Sequence, residues 1–330
     1  MAKTDIKIVI SKNETITEKL LSSYYDTISD GGELYIERKQ SNYDFNKISL
    51  MLRNCGFKNV VTLRNSLSKG TKTIRCIKGA KEELLLSVIV PLYNEENTAG
   101  ELLDKLINRK WTLPVEFVIV ESNSKDRTRE IAKSYESHPQ VTLVLEDKPS
   151  GKGNGVLRGI KEAKGNIIAI QDGDLEYDVE DYDKLLEPII NKQTKFVLGS
   201  RYNKDDWRMR KFAGNGRMIA DYLNLGQVML TGLLNFACAS KLTDPFTMYK
   251  IFDVDCMHGI NFVGGNFGLD WEIVIRFLRK GYKPVELPIS YKARSYEEGK
   301  HIALLGTPIE GLKALWHSRI ASSVYDYGDK

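Results

Sequence analysis

The chain has 330 residues, 42% hydrophobic and 28% charged, with a formal net charge of +4. That length buries one large core or two modest ones, and an unclustered positive excess argues against a nucleic-acid partner. No window reaches the roughly eighteen apolar residues of a membrane span, and the opening MAKTDIKIVI lacks the apolar core of a secretion signal. Cys55, Cys76, Cys238 and Cys256 form no close sequence pair, which leaves reduced thiols in a cytoplasmic protein as the expectation.

Residues 1–80 read as a small α/β unit. Ile6–Ile10 is strand-like, Thr15–Ser29 helix-like, and Glu33–Glu37 a strand introduced by the turn Asp30-Gly31-Gly32. A helix over Tyr43–Asn54 ends at Gly56, and Val60–Leu63 and Thr71–Ile77 pair as a hairpin. The polar stretch Lys78–Glu83 (KGAKEE) is the domain boundary.

From Leu84 the pattern becomes strand–helix repeats, the mark of a mostly parallel sheet. The strands fall at Leu85–Pro91, Phe117–Glu121, Val141–Leu145, Ile167–Ile170 and Lys195–Leu198. Helices are expected over Glu95–Arg109, Asp126–Ser137, Asn154–Ala163 and Val179–Asn191. Ligands in open α/β sheets sit beyond the carboxyl ends of the strands. Four such ends carry polar clusters: Pro91 to Glu95, Glu121 to Ser124, Asp172 to Glu176, and Gly199-Ser200-Arg201.

The third cluster organises the rest. In Gln171-Asp172-Gly173-Asp174-Leu175-Glu176 three carboxylates occupy alternate positions just after an apolar strand. Such charges repel unless a cation neutralises them. Mg²⁺ or Mn²⁺ shared with substrate phosphates does so, since Mg²⁺ needs only one or two protein carboxylates. Gly173 allows a sharp turn and close approach of a diphosphate.

Over roughly residues 85–295 the chain resembles the family 2 glycosyltransferases of the GT-A fold. The motifs are SVIVPLYNEE (87–96), FVIVESNSKDRT (117–128), KGNGVLRGI (152–160), IAIQDGDLEYD (168–178), VLGSRY (197–202), DPFTMYKIF (244–252) and GLDWEIVIRFLRKGYKPVELPISYKAR (268–294). The branch it is most similar to is the dolichol-phosphate-mannose synthase type with its bacterial polyprenyl-phosphate relatives. In the first unit, GGELYIE, LRNCGFKNVVTLRN and KTIRCIKG resemble the C-terminal third of class I methyltransferases, which implies a non-catalytic remnant or docking domain. The implied layout is residues 1–80, a GT-A domain over 84–300, and a helical extension over 301–330.

The resemblance assigns roles. Pro91, Tyr93, Glu95, Glu121 and Ser122 fall where relatives hold the nucleoside, although Glu121-Ser122-Asn123 replaces the usual two aspartates and glycine. Lys152 meets a phosphate beside Asp172 and Gly173. Asp172 and Asp174 bind the cation, with Glu176 as a third ligand. Arg201, Arg210, Lys211, Arg294 and Lys300 face phosphate, a task suited to the arginine fork. Asp270 and Glu272 occupy the region of a general base.

The implied reaction is inverting, metal-dependent transfer of a sugar from a nucleotide diphosphate sugar. A phosphate acceptor is already ionised and needs cations more than a base, so the basic segment at 207–211 favours a polyprenyl phosphate. A glycan hydroxyl in capsule or cell-envelope polysaccharide assembly, with Asp270 or Glu272 as base, is the alternative. The apolar helix Arg217–Ser240 is too interrupted to span a bilayer. It is read as a surface for the inner membrane face, as a core helix, or as an interface between two copies. A nucleotidyltransferase is disfavoured because PLYNEE replaces its glycine-rich loop. An inactive nucleotide-binding scaffold is the remaining rival, opposed by the intact Asp172/Asp174 pair.

Overall fold

A computed structural model describes residues 6–9, 17–28, 32–39, 48, 52, 55, 57–64, 71–78, 84–202, 208–210, 216–257, 260, 262, 268–293, 312–313 and 315–316. The chain divides into two compact units, Met1–Glu83 and Leu84–Lys330.

In the first unit, strand β1 (Ile6–Val9) is followed by helix α1 (Glu18–Thr27) and strands β2 (Glu33–Lys39), β3 (Phe57–Arg64) and β4 (Thr71–Lys78). Their order is β1-β2-β4-β3, with β1 parallel to β2 and the other pairs antiparallel. Thr17 starts α1 because its hydroxyl accepts the Leu20 amide at 3.3 Å. Leu21, Ile28, Leu34, Ile36, Ile48, Leu52, Phe57 and Cys76 close one core. Of the helix expected over 43–54, Ile48 and Leu52 are helical and buried, four residues apart on one face. The rest of it lies outside the described residues.

The second unit runs β5 (Leu86–Leu92), α2 (Ala99–Asn108), β6 (Val115–Glu121), α3 (Thr128–Ser134), β7 (Val141–Leu145), α4 (Lys152–Glu162), β8 (Ile167–Ile170), α5 (Tyr182–Ile190) and β9 (Phe196–Ser200). It continues through α6 (Gly216–Cys238), β10 (Lys250–Asp253), α7 (Gly268–Arg279) and β11 (Val285–Pro288). The seven-stranded sheet has the order β11-β9-β10-β8-β5-β6-β7. Only β10 is antiparallel to its neighbours β8 and β9 among these strands. Strands β5, β6, β8 and β9 are almost wholly buried, as continuous apolar runs covered on both faces must be.

Glycines set the placement of α4. A Cβ on Gly159 would lie 2.5 Å from Ile89 Cγ2, and one on Gly155 would meet Ser122 Oγ and Pro91 Cβ at 3.5 and 3.8 Å. The helix therefore lies flat on β5 and β6, and its first residue, Lys152, starts at the mouth formed by the strand ends.

Helix α6 is inverted in polarity. Met218, Tyr222, Leu225, Met229, Leu233 and Phe236 recur every three or four residues and are exposed, Met229 by 67% and Phe236 by 88%. Its inward face carries Asn224, Gln227, Thr231 and Asn235. Asn235 serves the following loop, giving its Nδ2–H to the Leu242 carbonyl and accepting the Leu242 amide, both at 2.8 Å. Of the C-terminal extension, residues 312–313 and 315–316 are described and helical, with Leu312 and Trp316 exposed.

Candidate active site

The loops after β5 and β6 are laced together. The Asn94 amide donates to Ser124 Oγ at 3.0 Å, and the Lys125 amide returns to Asn94 Oδ1 at 2.9 Å. The Glu95 amide reaches Thr128 Oγ1 at 2.8 Å, and Glu96 and Arg127 add two further cross-bonds. Both loops turn through asparagine, Asn94 and Asn123 each at φ 54°, a left-handed conformation that asparagine tolerates. Tyr93 stays 41% exposed at this rim, with ring surface open to a planar base.

Glu121 is placed differently from the nucleoside contact that was expected. Its carboxylate is fully buried and accepts the amides of Ser124 at 2.6 Å and Asn123 at 3.2 Å, with Arg129 Nε at 3.2 Å. It shapes its own loop. Ser122 Oγ donates to Glu146 Oε2 at 2.7 Å. Thr98 Oγ1 lies 3.0 Å from Glu95 Oε2 and 2.7 Å from the Gly173 carbonyl, which ties the β5 loop to the acidic turn. A Cβ on Gly173 would stand 2.7 Å from Leu92 Cδ2, so the turn packs directly on the end of β5.

In that turn Leu175 takes φ 55°, an uncommon conformation for a leucine. Asp174 Oδ1 accepts the Glu176 amide at 3.2 Å. Asp172 is buried, and its Oδ1 accepts no hydrogen bond but lies 2.5 Å from Lys152 Nζ. Glu176, expected as a third ligand, instead accepts the Tyr291 hydroxyl at 2.7 Å. Among the described residues no three Asp, Glu, His or Cys side chains gather around one metal position. Asp172 and Asp174 nevertheless suit Mg²⁺ or Mn²⁺. A divalent cation there would replace the lysine ammonium at a buried carboxylate oxygen, with Asp172 and Asp174 as the residues that would hold it.

Behind the turn lies a string of charges. Lys250, at the start of β10, is fully buried, donates to the Thr247 carbonyl and stands 3.9 Å from Asp270 Oδ1. Burial pulls the Lys250 ammonium below the usual lysine range although Asp270 and Asp244 oppose it. Burial likewise pushes Asp270 up against the pull of Lys250 and Lys152. For Lys152 burial is outweighed by Asp172 and then Asp270, and its pKa rises.

Arg201 forms a fork on Asp244, Nε to Oδ2 at 2.7 Å and Nη2 to Oδ1 at 2.8 Å, with its amide on the same carboxylate at 3.0 Å. Its guanidinium also lies 5.4 Å from the Tyr291 ring centre. From α6, Gln227 Nε2 reaches Asp244 Oδ1 at 3.4 Å, and the Asn224 side chain clasps the backbone of Arg210 through two bonds. The Arg210 side chain is buried with an Nε that has no hydrogen-bond partner. Burial and the nearby Arg201 charge lower the Arg210 pKa. A second buried guanidinium, that of Arg210, thus lies near the Arg201–Asp244 pair.

Glu272 is buried and paired with Arg276 Nε at 2.8 Å, so the core side of α7 holds it while Asp270 faces the charge string. Lys211, Arg294 and Lys300 lie outside the described residues. Sequence reading did not single out Asp244, Lys250, Asn224 or Tyr291. The available signal was the pair of charges within the motif DPFTMYKIF.

Comparisons with known proteins bear on the family and the fold. Residues 87–240 match Glycosyl transferase family 2. The chain is 30% identical over 220 residues to a dolichol-phosphate mannosyltransferase of Pyrococcus furiosus, covering 65% of this chain and 58% of that protein. It is 28% identical over 178 residues to a dodecaprenyl-phosphate galacturonate synthase of Rhizobium johnstonii, covering 52% of each. It therefore spans little more than half the length of these relatives. Among solved structures, glucosyl-3-phosphoglycerate synthase from Mycobacterium tuberculosis, in complex with Mn²⁺, UDP and glucosyl-3-phosphoglycerate, aligns with a TM-score of 0.53 at 18% identity. That alignment covers 72% of this chain and 80% of the other. Mannosyl-3-phosphoglycerate synthase from Rubrobacter xylanophilus aligns with a TM-score of 0.53 at 18% identity, over 70% and 73% of the two chains. The fold is GT-A, and the second unit carries a glycosyl transferase family 2 domain.

Proposed function

We propose that the protein is a glycosyltransferase that moves a sugar, with inversion, from a nucleoside diphosphate sugar to a polyprenyl-phosphate-type acceptor at the cytoplasmic face of a membrane. The observation that carries the acceptor is the buried Arg210 beside the Arg201–Asp244 pair, next to helix α6, whose polar face reaches Asp244 and the Arg210 backbone and whose apolar face is exposed. One helix thus has cations for a phosphate packed at one face and apolar surface for its lipid on the other. Among the described residues no helix is long and apolar enough to cross a membrane, and the contact proposed is made by the exposed face of α6. The relatives named for dolichol- and dodecaprenyl-phosphate products support the same acceptor class.

In this reading Tyr93 and the laced loops hold the nucleoside, and Lys152 takes the diphosphate. Asp172 and Asp174 hold Mg²⁺ or Mn²⁺, which when bound supplies Lewis-acid stabilisation of the leaving diphosphate. Arg201 and Arg210 orient the acceptor phosphate so that its oxygen meets the anomeric carbon opposite the leaving group. An ionised acceptor needs no base. A second reading, a hydroxyl acceptor, draws on Asp270, whose burial-raised carboxyl suits proton uptake. In either case the first unit contributes no catalytic group.

The donor half is tested by thermal shift with UDP, GDP, CDP and dTDP, each with and without Mn²⁺. One diphosphate at about a hundred times its Kd stabilises by about 2.7 kcal/mol, a rise of roughly 5–10 °C, and does so only with metal. No shift with any of the four sinks the donor site. For the acceptor, the double substitution Met229→Glu and Phe236→Glu lowers co-sedimentation with anionic vesicles at least about tenfold, since two charges replace buried apolar contact. It leaves the nucleotide shift unchanged. Equal sedimentation of variant and parent removes the membrane from the proposal.

A further inference from the structure

Arg210 belongs to no helix or strand, yet it is only 9% exposed and its Nε has no hydrogen-bond partner. A guanidinium on a long, rotatable stem reaches a defined point only when its own backbone is held. Here the backbone is held by α6.

Asp221, Asn224 and Gln227 recur at every third residue along one side of that helix. Asp221 Oδ1 meets Arg208 Nε at 3.1 Å. Asn224 is fully buried, accepts the Arg210 amide on Oδ1 at 3.1 Å and gives its Nδ2–H to the Arg210 carbonyl at 2.9 Å. Gln227 Nε2 reaches Asp244 Oδ1 at 3.4 Å, and Asp244 carries the Arg201 fork. Between Arg208 and Arg210, Met209 is buried as well. Printed in hydrogen bonds, one helix side therefore connects Arg210 to the Arg201–Asp244 pair.

Asparagine is a poor choice for the middle of a 23-residue helix, because its short amide competes for backbone bonds. Asn224 instead uses that amide on a residue fourteen positions away, and one side chain satisfies both backbone groups of Arg210. The task needs a donor and an acceptor side by side. Aspartate of the same length lacks the donor, and leucine lacks both.

We propose that Asn224 is a positioning residue for anion binding, which clasps the backbone of Arg210 and so aims its guanidinium at the acceptor phosphate. Gln227, three residues along, keeps the same helix in register with Asp244 and Arg201. Asn224 does not touch the phosphate and acts through Arg210. This rests on the acceptor-phosphate reading above.

The test is the affinity of the full chain for inorganic phosphate, measured by calorimetry, in a cycle of Asn224→Ala and Arg210→Gln. Only the binding that Arg210→Gln removes is counted, which sets aside phosphate held elsewhere on the protein. Arg210→Gln weakens phosphate binding at least about tenfold, the scale of one charge-assisted hydrogen bond. Asn224→Ala weakens it about fivefold in the parent and by less than about twofold in the Arg210→Gln background, because no guanidinium remains to be aimed. An equal loss in both backgrounds marks a general packing role and overturns the proposal. So does an Asn224→Ala protein that binds phosphate as the parent does. Should Asn224→Ala fail to fold, Asn224→Thr, which keeps a hydroxyl at that position, enters the same cycle under the same two criteria. A parent that binds no phosphate, or an Arg210→Gln protein that binds it undiminished, overturns the acceptor-phosphate reading as well. Binding that depends on Arg210 but not on residue 224 overturns the positioning role alone.

Discussion

Asp172→Asn is expected to reduce sugar transfer by about a hundred- to a thousandfold, the scale of losing a principal charge-stabilising group in an active site. The substitution is nearly isosteric, and the contact it weakens is the one between Asp172 Oδ1 and the Lys152 ammonium. That ion pair is mostly buried, so denaturant unfolding of the variant, measured alongside, separates a folding loss from a loss of turnover. The metal-dependent part of the nucleotide thermal shift should vanish in the variant, while any metal-independent binding through Tyr93 and the β5 loop persists. A variant that keeps a metal-dependent shift and near-normal turnover would remove Asp172 from the donor site and return the inactive-scaffold reading to contention.

Asp244→Asn should have the largest effect on stability. Asp244 is fully buried under Arg201 and receives a fork of two guanidinium bonds plus a backbone amide. Removing one member of such a pair leaves an uncompensated buried charge and costs about 3–5 kcal/mol. Here the orphan would be Arg201, with Arg210 beside it adding repulsion. Denaturant unfolding of the two proteins measures the difference, and a loss under about 1 kcal/mol would show that the pair is not held as described.

The acid limb has a definite sign. Burial favours the neutral Asp244 carboxyl, but Arg201 outweighs it and holds the folded pKa below the ordinary 3.8. The folded state thus binds its proton later than the unfolded chain. Its stabilisation is complete above the unfolded value and is lost as pH falls below it through the folded pKa. Asp244→Asn should flatten that part of the stability curve.

Much of this was legible in the sequence because it is local. The apolar runs of β5, β6, β8 and β9 are contiguous, and their burial follows from a parallel sheet covered on both faces. The helices between them lie close to the expected spans because amphipathic spacing acts within a few residues. The acidic turn was recognisable because three alternate carboxylates stand together at a strand end. Even the interruptions of α6 were visible, although their use was not. Asn224 and Gln227, which looked like breaks in an apolar helix, hold Arg210 and Asp244.

What only the tertiary structure decided is which way each charged side chain turns. Glu121, Glu176 and Glu272 occupy motif positions that made them candidate ligands or bases, yet each points to a partner: its own loop and Arg129, Tyr291, or Arg276. The Arg201–Asp244 fork joins positions 43 residues apart, and the antiparallel entry of β10 between β8 and β9 carries Lys250 into the interior. A buried charge is stable only beside its counter-charge, and that partner comes from a distant segment. By itself the sequence determined the alternation of strands and helices and the chemistry gathered at their ends. Long-range packing then decided which of those charges are structural and which remain open to substrate.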